Sequence, residues 1–202
     1  MGSGFSGGTA AGIAAGLTLG LHLLCLPLTA TAADAAVATA TAMSPEPAFS
    51  LARSLAIPVE GVSAADLRDT YAEARAGRRH EAIDIAAPTG TKVFAVDDGK
   101  LVKLFKSLPG GLTVYQFDPQ GRFAYYYAHL DRYADGLREG MTLRRCALLG
   151  YVGTSGNAAA DAPHLHFAVF RLGPLRQWWK GDALNPYPAL TTPPAAGVAA
   201  CH

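Results

Sequence analysis

Leu112-Thr-Val-Tyr-Gln-Phe117, then Asp118-Pro-Gln-Gly121, then Phe123-Ala-Tyr-Tyr-Tyr-Ala-His129 is the stretch that decides the fold. Its two arms are rich in aromatic and β-branched residues, which suit a pleated, half-buried surface. The segment between them has turn chemistry: an Asp to bond its own backbone, a Pro to fix φ, and a Gly. Together they predict a β-hairpin. Working outward, Lys100–Lys106 alternates loosely, and Thr91–Val96 is bounded by Pro88-Thr-Gly90 and Asp97-Asp98-Gly99. Leu143–Val152 and His164–Phe170 read as two more strands, separated by the loop Gly153-Thr-Ser-Gly-Asn157. Closely spaced short strands with Gly-rich turns indicate an all-β domain. Upstream, Ser63 can cap a short helical turn, although a loop fits that segment equally well.

The ends of the chain have a different composition. No charged residue precedes Asp34, and Ala10–Leu28 is apolar or small except for Thr18 and His22. The run Ala30-Thr-Ala-Ala33 fits an Ala-x-Ala cleavage site, so residues 1–32 read as an export signal or an N-terminal membrane anchor. Residues 33–55 are Ala-, Thr- and Pro-rich without hydrophobic period and read as a linker. A domain is expected over 56–190 and a disordered tail over 191–202. The expected location is outside the cytoplasm, in the periplasm or cell envelope. Lys and Arg number 17 and Asp and Glu 16, a net charge of +1 without a basic run, which argues against nucleic-acid binding. Of three cysteines, Cys146 and Cys201 remain after removal of the leader. They are able to pair in an oxidising compartment, or Cys146 serves as a small buried side chain on a strand.

Four of the six histidines fall in three short segments. His80 and Asp84 lie in Arg79-His-Glu-Ala-Ile-Asp-Ile85, His129 in Tyr127-Ala-His-Leu130, and His164 and His166 in Pro163-His-Leu-His-Phe167. On a strand His164 and His166 share a face about 6.6 to 7 Å apart, so they either chelate one ion or divide roles between ion and substrate. His80 and Asp84 would be about 13 Å apart on an ideal strand. They converge only if His80 sits in a turn and the chain bends near Glu81-Ala82. Two imidazoles and one carboxylate with an open position form a hydrolytic zinc site. A remaining imidazole, or the Tyr127 hydroxyl if its strand is regular, would then assist a water.

These ordered motifs, with Gly150-Tyr-Val-Gly153-Thr-Ser-Gly-Asn157 and Asn185-Pro186, resemble the lysostaphin/LytM-type zinc metallopeptidases of family M23 over about residues 57–190. The resemblance implies an antiparallel β fold, barrel- or sandwich-like, with a groove over the sheet. It implies one Zn²⁺ on His80, Asp84 and His166, with His129 and His164 as catalytic histidines. The implied activity is endopeptidase cleavage of peptidoglycan cross-links or stem peptides. The alternative is a non-catalytic wall-binding module or an activator of cell-wall amidases, as in relatives that have lost metal ligands; all five polar groups are retained here. Two positions depart from the pattern: Ala82 stands where the family usually has Gly, and Arg145-Cys-Ala147 replaces a common Gly-Asp. If position 82 required φ > 0, the Ala would add strain of roughly 1 to 2 kcal/mol.

Overall fold

The computed structural model of the chain describes residues 54–75, 77–193 and Cys201. The expected leader or anchor over 1–32, the linker through Arg53 and most of the expected tail lie outside the described residues. Among the described residues no helix is long and apolar enough to cross a membrane.

Two short strands, β1 (Ala74–Arg75) and β2 (Arg78–Arg79), form a hairpin of their own. The remaining strands make one antiparallel sheet: β3 (Ile83–Ala86), β4 (Lys92–Phe94), β5 (Gly99–Ser107), β6 (Gly111–Phe117), β7 (Phe123–Tyr133), β8 (Thr142–Leu143), β9 (Leu148–Val152), β10 (His164–Leu172) and β11 (Gly181–Leu184). Its main path runs β11-β10-β7-β6-β5-β8. Along one edge of β10, β3 pairs with residues 164–167 and β11 with residues 169–172. Along one edge of β7, β10 pairs as far as Ala128 and β9 takes over from Leu130. A 3-10 turn at Ala64–Asp66 has Ser63 at its N-cap, and among the described residues a single short α-helix, α1 (Tyr187–Thr191), closes the domain. The expected mostly β, antiparallel architecture is what the chain adopts.

Side-chain alternation sorts the sheet into two faces. Leu165, Phe167 and Val169 of β10 and Tyr125 and Tyr127 of β7 are fully buried in the core. They pack with Ile83, Ile85, Val93, Leu101 and Val114, and Leu55, Val59 and Leu190 complete the same cluster. His164 and His166 emerge on the opposite face.

The strand expected over Leu143–Val152 is interrupted. Arg144–Ala147 form a turn between β8 and β9, and Cys146 adopts a left-handed φ of 66°. Its N–H donates to the Ala95 carbonyl at 2.9 Å, and its sulfur is bonded to Cys201. The disulfide reading of the two cysteines therefore holds, and Cys146 is not a strand residue.

Candidate metal centre and groove

β10 sits between β3 and β7, which brings three separate stretches of sequence to one spot. His166 is the register partner of Asp84 on one side and of Ala128 on the other. His80 precedes β3, and the bend expected near Glu81-Ala82 is present as φ 59° at Glu81. The left-handed residue is thus Glu81 and not the fully buried Ala82, so the Ala82 departure carries no backbone strain.

His80 Nε2, His166 Nδ1 and Asp84 Oδ1 form a near-equilateral triangle with sides of 3.1 Å. Ligands on a tetrahedral ion with bonds of 2.0 to 2.1 Å would be about 3.3 Å apart. Three lone-pair atoms this close repel one another unless a proton or a cation lies between them. This donor set and spacing fit a small divalent cation such as zinc. The Nδ1–H of His80 donates to the Thr70 carbonyl at 3.1 Å, which leaves Nε2 as its lone-pair atom. The Thr70 hydroxyl accepts from the Asp84 N–H at 3.1 Å, and Arg75 Nη2 holds Asp84 Oδ2 at 3.0 Å. Burial opposes ionisation of Asp84, but the hydrogen bond and charge of His166 and the charges of His80 and His164 outweigh it, lowering its pKa to about 2. Burial pushes the His80 imidazole below the ordinary histidine range, against the pull of Asp84.

The two other histidines flank this triangle. His129 and His164 lie with ring centroids 5.0 Å apart, and His129 lies 5.6 Å from His166. The Nδ1–H of His129 donates to the Ser155 carbonyl and that of His164 to the Ala162 carbonyl, each at 2.8 Å. A carbonyl can only accept, so each neutral ring keeps its lone pair on Nε2. His164 Nε2 lies 3.7 Å from Asp84 Oδ1. Burial lowers the pKa of His129, which favours the uncharged ring.

His129 reaches the groove because β7 is irregular there. Between the pairs Val114–Tyr127 and Leu112–Leu130, β7 has two residues where β6 has one. The extra residue makes a bulge, with His129 at φ 61° and its N–H donating to the Gly110 carbonyl. The bulge breaks the alternation that would have placed Tyr127 beside His129. Tyr127 points into the core, where its hydroxyl donates to Gln116 Oε1 at 2.7 Å and accepts the Val96 N–H at 3.0 Å. The tyrosine on the groove side is Tyr126, edge-on to His166 with centroids 6.0 Å apart.

The loop Gly153–Asn157 holds His129 from the other side. Ser155 Oγ donates to the Leu130 carbonyl at 2.6 Å and accepts the Leu112 N–H at 3.0 Å, so loop and bulge are tied together. Gly111 and Gly156 cross so closely that a Cβ on either would collide with the other's backbone. The groove around these groups has a volume of about 720 Å³ and is lined also by Arg75, Arg78, Arg79 and Glu81. Sequence reasoning missed Thr70, Arg75, Tyr126 and the Ser155 and Ala162 carbonyls. Backbone acceptors leave no mark in residue identity, and only the bulge selects Tyr126 over Tyr127.

Comparison with known proteins gives the family of the chain. Residues 78–186, just over half of the chain, match the model of Peptidase family M23. The L-Ala–D-Glu endopeptidase of Bacillus subtilis is 30% identical over 131 residues, covering 61% of this chain and 39% of that protein. The glycyl-glycine endopeptidase ALE-1 of Staphylococcus capitis is 29% identical over 92 residues, covering 45% of this chain and 24% of that protein. The chain therefore spans well under half the length of these curated relatives. A Ruminococcus gnavus structure solved under the name glycyl-glycine endopeptidase lytM superposes with a TM-score of 0.53 at 29% identity, covering 62% of this chain and 52% of that one. With the ordered His and Asp motifs on one face of an antiparallel sheet and the family match across them, the chain belongs to peptidase family M23.

Proposed function

We propose that this chain is an exported, zinc-dependent endopeptidase that cleaves peptides of bacterial peptidoglycan. The observation that carries the reading is the 3.1 Å triangle of His80, Asp84 and His166 with two more histidines beside it. In this reading His80 Nε2, Asp84 Oδ1 and His166 Nδ1 hold the ion. When bound, Zn²⁺ supplies a Lewis acid that polarises a peptide carbonyl and acidifies a water. His129 takes a proton on Nε2, since its Nδ1–H is committed to Ser155. His164, tied through Nδ1 to Ala162, offers the second imidazole for the developing oxyanion or the leaving amine. The retained ligand set supports an enzyme over a non-catalytic module. The Cys146–Cys201 disulfide supports an oxidising compartment, hence export. The two relatives are named for different bonds, L-Ala–D-Glu and glycyl-glycine, so the scissile bond is left open.

The test is elemental analysis of the purified chain together with mass spectrometry of muropeptides released from purified sacculi. The expected result is one zinc per chain and new peptide termini in the digest. A chain that takes up no divalent metal, or that takes it up and releases no peptide, overturns the proposal.

A further inference from the structure

The face of the sheet that bears the histidines continues, past the groove, into a band of aromatic rings that the peptidase chemistry does not use. Tyr126, in the groove, is the direct cross-strand partner of Tyr115, with ring centroids 4.7 Å apart. Tyr115 lies 4.8 Å from Trp178, which lies 5.4 Å from Phe105 and 5.3 Å from Trp179. Trp178 and Trp179 come from the loop between β10 and β11, which folds back over the sheet to set Trp178 against Tyr115 and Phe105. The outer end is open to solvent: Trp179 is 62% exposed and Phe105 40%. Large apolar side chains clustered at the surface in this way mark a binding surface.

Continuity decides what covers the band. It adjoins the groove through Tyr126, which itself stands edge-on to His166, so a ligand in the groove that extends along this sheet face runs onto Trp178. The face of an aromatic ring is negative, and the axial C–H groups of a pyranose are slightly positive and flat enough to stack on it. The geometry points to the Tyr115–Trp178–Trp179–Phe105 band as a sugar-binding subsite that seats the glycan strand bearing the scissile peptide. This inference rests on the reading of the groove as a peptidoglycan peptidase, and it adds that the enzyme grips the polymer by its sugars as well as its peptides.

The chain has two tryptophans, and both are in this band, so intrinsic tryptophan fluorescence of the full chain reports on it alone. Titration with a tetramer of N-acetylglucosamine is expected to shift or quench that emission. The double variant Trp178→Ala, Trp179→Ala is expected to co-sediment with purified sacculi roughly tenfold more weakly. It is expected to cleave a short, sugar-free stem peptide within about twofold of the parent rate, because neither tryptophan lines the groove that holds the histidines. Unchanged binding to sacculi, or emission indifferent to the oligosaccharide, overturns the inference. So does a double variant that keeps its grip on sacculi but loses binding to phosphatidylglycerol vesicles, which would make the band a membrane contact. If circular dichroism shows the double variant unfolded, Trp179→Ala, which removes the more exposed ring, decides by the same measurements. A parent chain that responds to the sugar but cleaves no peptide refutes the peptidase reading and leaves the subsite standing.

Discussion

At the scale of single residues, His80 and His129 have different parts in the same small volume and can be separated by experiment. His80 Nε2 is one corner of the metal triangle, whereas His129 lies outside it with its lone pair on Nε2. His80→Ala is expected to lose the zinc and the activity together, read by elemental analysis and peptide release. His129→Ala is expected to keep the zinc and lose on the order of 10²- to 10⁴-fold in kcat. The pH profile follows from the same ring. Burial lowers the His129 pKa, and a base works only when neutral, so its activity is present above that pKa and falls as pH drops through it. The acid limb is therefore expected below the ordinary histidine value of about 6.5, with zinc still bound along its upper part. An acid limb at or above that value, with metal retained, would contradict the assignment. Glu81 and Ala82 give a further contrast. Glu81 carries the left-handed φ, and Ala82 is buried without it. Glu81→Gly is expected to stabilise the chain by about 1 kcal/mol and Ala82→Gly to destabilise it by a similar amount, measured by denaturant unfolding.

At the scale of elements, the precision of the groove depends on two crossings of backbone, and these are what the sequence conveys least directly. Hairpin β6–β7 and the alternation of β10 were legible because they follow from period and turn chemistry in contiguous residues. The bend that brings His80 to Asp84 was legible as well, since the two cannot meet on a straight strand. The bulge at His129 was not. It arises because β7 must leave β10 for β9 between Ala128 and Leu130, a matter of strand partners distant in sequence. Cys146 was misplaced for a related reason: its segment reads as continuous apolar strand, but the chain turns there to hand β8 to β5 and β9 to β4. The motif Gly153-Thr-Ser-Gly-Asn157 was visible as a loop, yet its purpose appears only where Gly156 passes Gly111 and Ser155 reaches His129. Gly156→Ala is expected to push that loop off β6 and release His129. Because a displacement of about 1 Å in a reacting group can cost 10²-fold, kcat is expected to fall by about that factor while zinc content stays at the parent level. Loss of zinc in Gly156→Ala would show that the loop supports the ion and not the base.

At the scale of the whole domain, the two ends of the described part are clasped at one corner, away from the groove. Leu55 donates its N–H to the Ala189 carbonyl at 2.9 Å, and Ser54 Oγ donates to the Thr192 carbonyl at 3.0 Å. Arg145 Nη1 donates to the Ser54 and Val96 carbonyls, and the neighbouring Cys146 is bonded to Cys201. None of these residues lines the groove. Arg145-Cys146-Ala147 is thus the point that ties the segment beginning at Ser54, and Cys201, to the sheet. The disulfide closes a sequence separation of 55, for which the loss of unfolded-chain entropy is worth about 4 kcal/mol, an upper figure because native geometry and residual structure reduce it. Cys146→Ala with Cys201→Ala, or reduction of the parent chain, is therefore expected to lower unfolding stability by about 2 to 4 kcal/mol and to leave kcat on a short peptide within about twofold. Chelation is expected to do the opposite in kind, abolishing turnover while lowering stability only by the free energy of metal binding at the prevailing concentration. Thermal unfolding of the parent, reduced and chelated chains, each assayed for peptide release, separates the two. If reduction abolished turnover at a temperature where the chain remains folded, the clasp would be coupled to the groove, and the independence of scaffold and site argued from their separation would be wrong.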